Sequence, residues 1–293
     1  MAPLAVILFA VLTLPVSGGE GAASPAAAVG NGVVSKRDIA DWRAAQACYG
    51  PDAITSRRAG FMRMFETALL EEVLNGPAAR PIKREEYAGE VSRIDAETRA
   101  PEILACIKKY FGDDTARYER VFVRPLLAQR FIREYVRTSP EVQAGAYALR
   151  DGISSDVVKG AAFRDIAVAR GVKYSTAVYA LEAPAAPVAP AAGLEPWARW
   201  SPFQAAFIEE HLQALKPGQA KEPIEDEANI RFVRLLSVTG KKYYFESLTV
   251  PKLSTEAYLK TSPGIPCRIN DRELRAWVLS IKGNPLLAPA RIK

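Results

Sequence analysis

The chain has 293 residues, of which 49% are hydrophobic and 25% are charged, a balance typical of globular proteins that bury a sizeable core. Its formal net charge of +6 is distributed along the sequence without a run of five or six like charges. We therefore expect no nucleic-acid partner, because nucleic-acid binding requires a clustered basic surface. The length favours two domains.

The first residues predict an export signal. Residues 3–16 (PLAVILFAVLTLPV) form an apolar block that small residues and an Ala-, Pro- and Gly-rich stretch follow, although no Lys or Arg precedes the block. The block is shorter than the ~20 residues needed to span a bilayer. We predict a signal peptide and linker over 1–28, a periplasmic or otherwise exported protein, and no stable membrane span after cleavage. The alternative is a retained membrane anchor.

Helical periodicity dominates the sequence from residue 35 to about 150 and predicts a helical domain over 29–150. Ser35 with Asp38 resembles a capping box, and Thr55 or Ser56 is a candidate N-cap of the second helix. Pro125 is expected to bend the fifth helix. The predicted helices cover 35–48, 55–75, 83–97, 102–111 and 114–137, and a further one begins after Pro140.

The pattern changes after Asp151, which predicts a second, smaller domain over 151–250. The order helix, turn, strand, strand indicates a small antiparallel sheet with helices on one face, so the expected fold class is α+β. Residues 183–193 are predicted to form a proline-stiffened loop. The predicted helices cover 158–170 and 202–215, and the strands 174–181, 228–237 and 241–249. Residues 251–293 form an extension with short helices near 255–260 and 271–282.

Three cysteines, Cys48, Cys106 and Cys267, leave at least one thiol unpaired. Cys48 and Cys106 both fall in the helical half, so they either form a disulfide or serve as small buried apolar residues. Their wide spacing and a single histidine argue against a zinc site. The sequence lacks a phosphate-binding loop, a nucleophile elbow, an HExxH motif and a dinucleotide fingerprint. We predict no metal, no cofactor and no catalytic residue.

Two pairs of segments resemble a known family. VGNGVVSKRDIADW (29–42) and RPIKREEYAGEV (80–91) look like the amino-terminal helical domain of SurA and related foldases. FRDIAVARG (163–171), followed by the stretch from Pro196 to Val238 with its LKPGQ turn, resembles the second half of a parvulin-type (PpiC) peptidyl-prolyl isomerase domain. The resemblance implies a helical chaperone-like domain, a parvulin-like domain, and a carboxy-terminal segment that docks on the helical domain through Leu274, Trp277, Val278 and Ile281.

The sequence departs from the parvulin pattern at the residues that matter for catalysis. Active parvulins carry a pair of facing histidines, whereas this chain has only His211, which we predict to lie on a helix surface. The opening strand of the parvulin domain is also missing before residue 158. The parvulin-like domain is therefore expected to be degenerate, and isomerase activity is uncertain on this basis.

Large adaptable side chains suggest a peptide-binding surface, because Met and aromatic residues repack around varied partners. The candidate residues are Phe61, Met64 and Phe65 in the helical domain, and Trp197, Trp200, Phe203 and Phe207 in the parvulin-like cleft. Alternatively, most of the helical set is core and the tryptophans cap the sheet.

We predict an exported chaperone or foldase whose partners are unfolded or extended polypeptides. The alternatives are an active peptidyl-prolyl cis-trans isomerase and a non-catalytic assembly subunit of an envelope or export system. The oligomeric state is left open.

Overall fold

The computed structural model describes residues 25–76, 78, 80–182 and 201–293. It is a mixed α/β protein with two small, mostly antiparallel sheets. The helices are α1 (Lys36–Gln46), α2 (Arg57–Asn75), α3 (Arg84–Glu97), α4 (Pro101–Phe111), α5 (Thr115–Tyr118), α6 (Arg124–Thr138), α7 (Ala144–Val158), α8 (Phe163–Arg170), α9 (Pro202–Phe207), α10 (Thr255–Thr261) and α11 (Arg272–Ser280). The strands are β1 (Pro25–Val29), β2 (Gly32–Ser35), β3 (Lys173–Ala180), β4 (Ile224–Glu225), β5 (Asn229–Thr239), β6 (Lys242–Pro251), β7 (Ile265–Ile269) and β8 (Ala290–Ile292).

The first sheet joins the beginning and the end of the described chain in the strand order β2-β1-β7-β8. β1 and β2 form a hairpin that turns at Gly30, whose φ of +53° favours glycine. A Cβ at Gly30 would lie 2.2 Å from Glu72 Oε2 on α2, so the Glu72 side chain would have to move to admit one. β7 pairs antiparallel with β1 and parallel with β8. Sequence periodicity did not predict β7 or β8.

The largest core cluster packs α2 between the first sheet and α6. Phe61, Phe65, Leu69 and Leu70 on α2 are completely buried in it. The carboxy-terminal segment contributes to the same core, where Leu274 and Val278 of α11 are buried and Trp277 packs at the edge. Ile281 is not a member of this cluster.

A π-helical segment, Glu119–Val123, replaces the expected bend within one long helix. It connects α5 directly to α6, and Pro125 occupies the first turn of α6. Proline removes a backbone donor and clashes with the carbonyl four residues earlier, so a wider turn just before it relieves both problems.

The second sheet has the order β3-β6-β5-β4, and its strands are all antiparallel to their neighbours. The expectation of helices on one face is wrong. α7 and α8 cover one face, on which Ile230 and Phe232 are buried, while α9 and the π-helical turn Ile208–Leu212 cover the other, on which Val233 is buried. β5 is apolar on both faces of its pleat, and each face therefore needs a cover.

Helix α7 crosses the position where we expected a domain boundary, at residue 150. Its Ile153 is fully buried against the second sheet, so the helix belongs to that core. The predicted helix over 158–170 is shorter than expected, because Lys159 caps α7 and Gly160 adopts a φ of +81° before α8 begins at Phe163.

A buried amide, Gln143, ties the end of α6 to the segment after β6 by donating to Val136 O and accepting from Leu253 N.

Candidate functional site

An open groove lies between α1, the start of α2 and the loop that joins them. We call it the α1–α2 groove; its volume is about 580 Å³, within the range of small-ligand and peptide side-chain pockets. Its lining residues are Trp42, Gln46, Tyr49, Asp52, Ala53, Ile54, Ala59, Met62, Arg63 and Glu66.

The loop over residues 47–56 is held in place at both ends. Cys48 is joined by a disulfide to Cys106 on α4, with a Cα–Cα distance of 5.8 Å. At the other end, Arg43 Nε donates to Thr55 O at 2.6 Å, and Ser56 Oγ accepts from Ala59 N to cap α2. The loop therefore presents its side chains on a fixed backbone.

Two large apolar side chains of this loop remain in solvent. Tyr49 is 48% exposed and Ile54 is 69% exposed, and they face a wall that includes Trp42 and Met62, both partly buried against the core. Exposing this much apolar surface costs free energy that a bound apolar segment would recover. Aromatic and Met side chains adapt to varied partners, so the groove is suited to binding a polypeptide.

Arg63 and Glu66 lie on adjacent turns of α2 in the same groove. Burial raises the pKa of Glu66, whose Oε1 accepts a hydrogen bond from Asn284 Nδ2 at 2.7 Å. Burial also lowers the pKa of the Arg63 guanidinium, an effect that the charge of Glu66 partly offsets. Arg63 nevertheless forms no ion pair or side-chain hydrogen bond with any residue that the structure describes.

A second hollow, of about 430 Å³, lies near α3 and α5 and contains three arginines, two of which are already paired. Arg124 forms an ion pair with Glu71, and Arg120 pairs with Asp38 at 2.8 Å. These internal pairs leave little reason for an external ligand to bind there.

The structure does not place the predicted helical site residues on an open surface. Phe61 and Phe65 are fully buried and Met64 is 7% exposed, so this part of the expected peptide-binding surface is wrong. The two phenylalanine rings stack on each other at 5.4 Å inside the core. The neighbouring face of α2, which carries Met62, lines the groove instead.

Sequence reasoning missed Trp42, Tyr49, Ile54 and Arg63. The usable signal was two large apolar residues, Tyr49 and Ile54, on either side of a Gly-Pro turn where no helix or strand could bury them.

Of the four residues expected to line a parvulin-like cleft, only Phe203 and Phe207 lie in the part of the chain that the structure describes. Trp197 and Trp200 lie outside the described residues. Phe207 is 8% exposed and packs in the core, with its ring 5.6 Å from that of Phe245 and 5.4 Å from that of Tyr179. Phe203 is 59% exposed and contacts Tyr179 edge-on at 6.4 Å.

Phe203 belongs to an apolar strip on the second sheet. Tyr179, Tyr243 and Val238 stand opposite one another across β3, β6 and β5, on the face that α9 covers. We call these residues, with Phe203, the second-sheet patch. Phe203 and Val238, which is 41% exposed, are its accessible members.

His211 is not the surface residue that we expected. Its side chain is 13% exposed, and its ring meets that of Phe207 edge-on at 4.8 Å. Nδ1 lies 3.1 Å from Lys221 Nζ, so the ring accepts from the ammonium group and is neutral in this arrangement. Burial lowers the His211 pKa, which favours the same neutral form.

Neither a metal cluster nor a reactive thiol is found in the described part of the chain. No group of three or more His, Cys, Asp or Glu side chains there is arranged to hold a metal ion. Cys267 is free and buried, and burial raises its pKa to about 11, so it is a poor nucleophile.

Across 25–76, 78, 80–182 and 201–293, no helix is long and apolar enough to cross a membrane.

Comparison with protein-family models, curated proteins and solved structures gives no match for this chain.

Proposed function

We propose that this protein is an exported, non-catalytic chaperone or foldase that binds extended or unfolded polypeptide segments in the α1–α2 groove. The observation that carries the proposal is the pair of exposed apolar side chains, Tyr49 and Ile54, held over a groove of about 580 Å³ by the Cys48–Cys106 disulfide. A rigid apolar groove binds a flexible segment without having to order itself first.

The finer architecture is part of the same proposal. An amino-terminal helical unit completed by the carboxy-terminal strands and α11 suits a SurA-type chaperone domain, and the second sheet with its helices suits a degenerate parvulin-like domain. A disulfide is consistent with an oxidising, extracytoplasmic location.

The test is suppression of aggregation of a chemically unfolded client by the full chain. We expect the double variant Tyr49→Ser/Ile54→Ser to lose most of this effect, because burying each apolar side chain contributes about 1.5–3 kcal/mol, or at least about tenfold in Kd. The matched control is Val158→Ser/Val168→Ser, which removes two apolar side chains that are 87% and 82% exposed elsewhere. Equal loss in both double variants would contradict a role for the groove.

The same samples separate the two alternative functions. Turnover of a prolyl peptide would favour an isomerase, because rotation about the peptide bond requires no proton transfer and His211 need not take part. Co-purification with one fixed partner, without client protection, would favour an assembly subunit.

A further inference from the structure

Arg63 differs from the other partly buried arginines of the helical region. Arg117 pairs with Asp41 at 2.5 Å, Arg124 pairs with Glu71, and Arg130 pairs with Glu90 at 2.6 Å. Arg63 has no such partner among the described residues, although much of its side chain is withdrawn from water. A partly buried charge without a partner is costly, and it commonly marks a place where a ligand supplies the missing group.

The nearest carboxylate does not serve as that partner. Glu66 lies one turn further along α2, but its Oε1 is bound to Asn284 Nδ2 and no ion pair to Arg63 forms within 4.0 Å. The charge of Glu66 acts on Arg63 through space only, and Arg133 adds positive charge near Arg63. Asp52, the other acidic lining residue, lies in solvent. The N–H donors of Arg63 therefore remain without a hydrogen-bond acceptor among the described residues at this end of the groove.

We propose that the α1–α2 groove selects extended polypeptide segments in which an Asp or Glu side chain is flanked by aromatic or aliphatic residues. Arg63 binds the carboxylate through its planar fork of N–H donors, which matches carboxylate geometry better than an ammonium group does. Trp42, Tyr49, Ile54 and Met62 pack against the flanking apolar side chains. This inference rests on the proposed function and adds the chemistry of the client segment.

The experiment measures binding of fluorescent pentapeptides to the full chain by anisotropy. The first peptide is Phe-Leu-Glu-Leu-Phe, acetylated and amidated so that its one carboxylate is the side chain, and the second replaces Glu by Gln. Wild type should bind the Glu peptide at least about tenfold more tightly, since a hydrogen bond to a charged group contributes about 1.5–3 kcal/mol. The preference should shrink as salt is added.

The variants assign the preference to one side chain. Arg63→Gln should bind both peptides with the weaker affinity, and Arg63→Lys should recover only part of the difference. Arg164→Gln, which removes an exposed arginine on α8, should bind as wild type does.

Each other outcome overturns a defined part of the proposal. If both peptides bind wild type equally and Tyr49→Ser/Ile54→Ser weakens both, selection by Arg63 is wrong while polypeptide binding stands. If the Gln peptide with a free carboxyl terminus binds as tightly as the amidated Glu peptide, the terminal carboxylate is the recognised group. If neither peptide binds, or the groove variant changes nothing, the proposed function fails as well.

Discussion

The α1–α2 groove and the second-sheet patch both expose large apolar side chains, yet they do so for different reasons. In the groove, Tyr49 and Ile54 stand on a loop that a disulfide holds, next to Arg63, whose guanidinium forms no ion pair with a described residue. In the patch, Phe203 is the outermost ring of an aromatic cluster whose other members, such as Phe207 and Phe245, already pack on one another. The comparison shows that aromatic density alone does not identify a binding surface. A better indicator is apolar surface that the protein's own side chains do not cover.

Removing the disulfide is expected to have the largest effect on stability, and it tests the groove separately from the second-sheet patch. Cys48→Ser/Cys106→Ser should lower the free energy of unfolding by about 4 kcal/mol in the chain-entropy model, because the bond closes a loop of 58 residues. Peptide binding should weaken, because the loop that carries Tyr49 loses one of its two attachments. Urea unfolding and peptide anisotropy measure the two effects.

Reductant should reproduce both effects in wild type and change nothing in the double variant. If reduced wild type binds peptide as tightly as the oxidised protein, the disulfide does not organise the groove.

A smaller effect distinguishes core from surface within the aromatic cluster. Phe207→Ala should cost about 3 kcal/mol of unfolding free energy, because it opens a cavity against Phe245 and Tyr179. Phe203→Ala should cost less than about 1 kcal/mol, because the ring is 59% exposed. Equilibrium unfolding followed by tyrosine and tryptophan fluorescence measures both. A loss of client protection in Phe203→Ala at unchanged stability would instead make the second-sheet patch a binding surface.

The smallest expected effect is a pH dependence of stability that arises from His211, beside the second sheet. Burial lowers the His211 pKa in the folded state, so the unfolded chain takes up a proton first as the pH falls. This contribution to stability is complete above the unfolded pKa of about 6.5 and is lost as the pH falls through it toward the lower folded pKa. Unfolding free energies at several pH values should show a decline below about 6.5 in wild type that is smaller in His211→Gln.

Glu66 in the α1–α2 groove provides a comparison for this measurement of stability against pH. Glu66 has a raised pKa and is stabilising when protonated, so its contribution is present at low pH and is lost as the pH rises through the folded value. Glu66→Gln should therefore remove a loss of stability with rising pH, a slope opposite in sign to the one that His211 contributes. Identical profiles for wild type and both variants would mean that neither group is withdrawn from water.

Local chemistry explains why many elements could be predicted. Ser35 and Ser56 both accept the hydrogen bonds expected of N-caps, from Asp38 N and Ala59 N. The β5–β6 turn falls at Gly240, with a φ of +60°. These features depend on interactions within a few residues, and such interactions are readable in one sequence.

The candidate site was much less predictable. Phe61 and Met62 are adjacent and chemically alike, but one is in the core and the other lines the groove, because α2 turns successive side chains by about 100° and the neighbouring elements decide which face is covered.

By itself, the sequence determined the mixed α/β class, most helix positions, the strands β3, β5 and β6, and the absence of a histidine pair, because these follow from residue identity and short-range spacing. Only the tertiary structure decided the pairing of β7 with β1, the burial of Phe61 and Phe65, and the lack of an ion pair between Arg63 and any described residue. These outcomes depend on which distant segments come together, and that choice is made by packing across the whole chain.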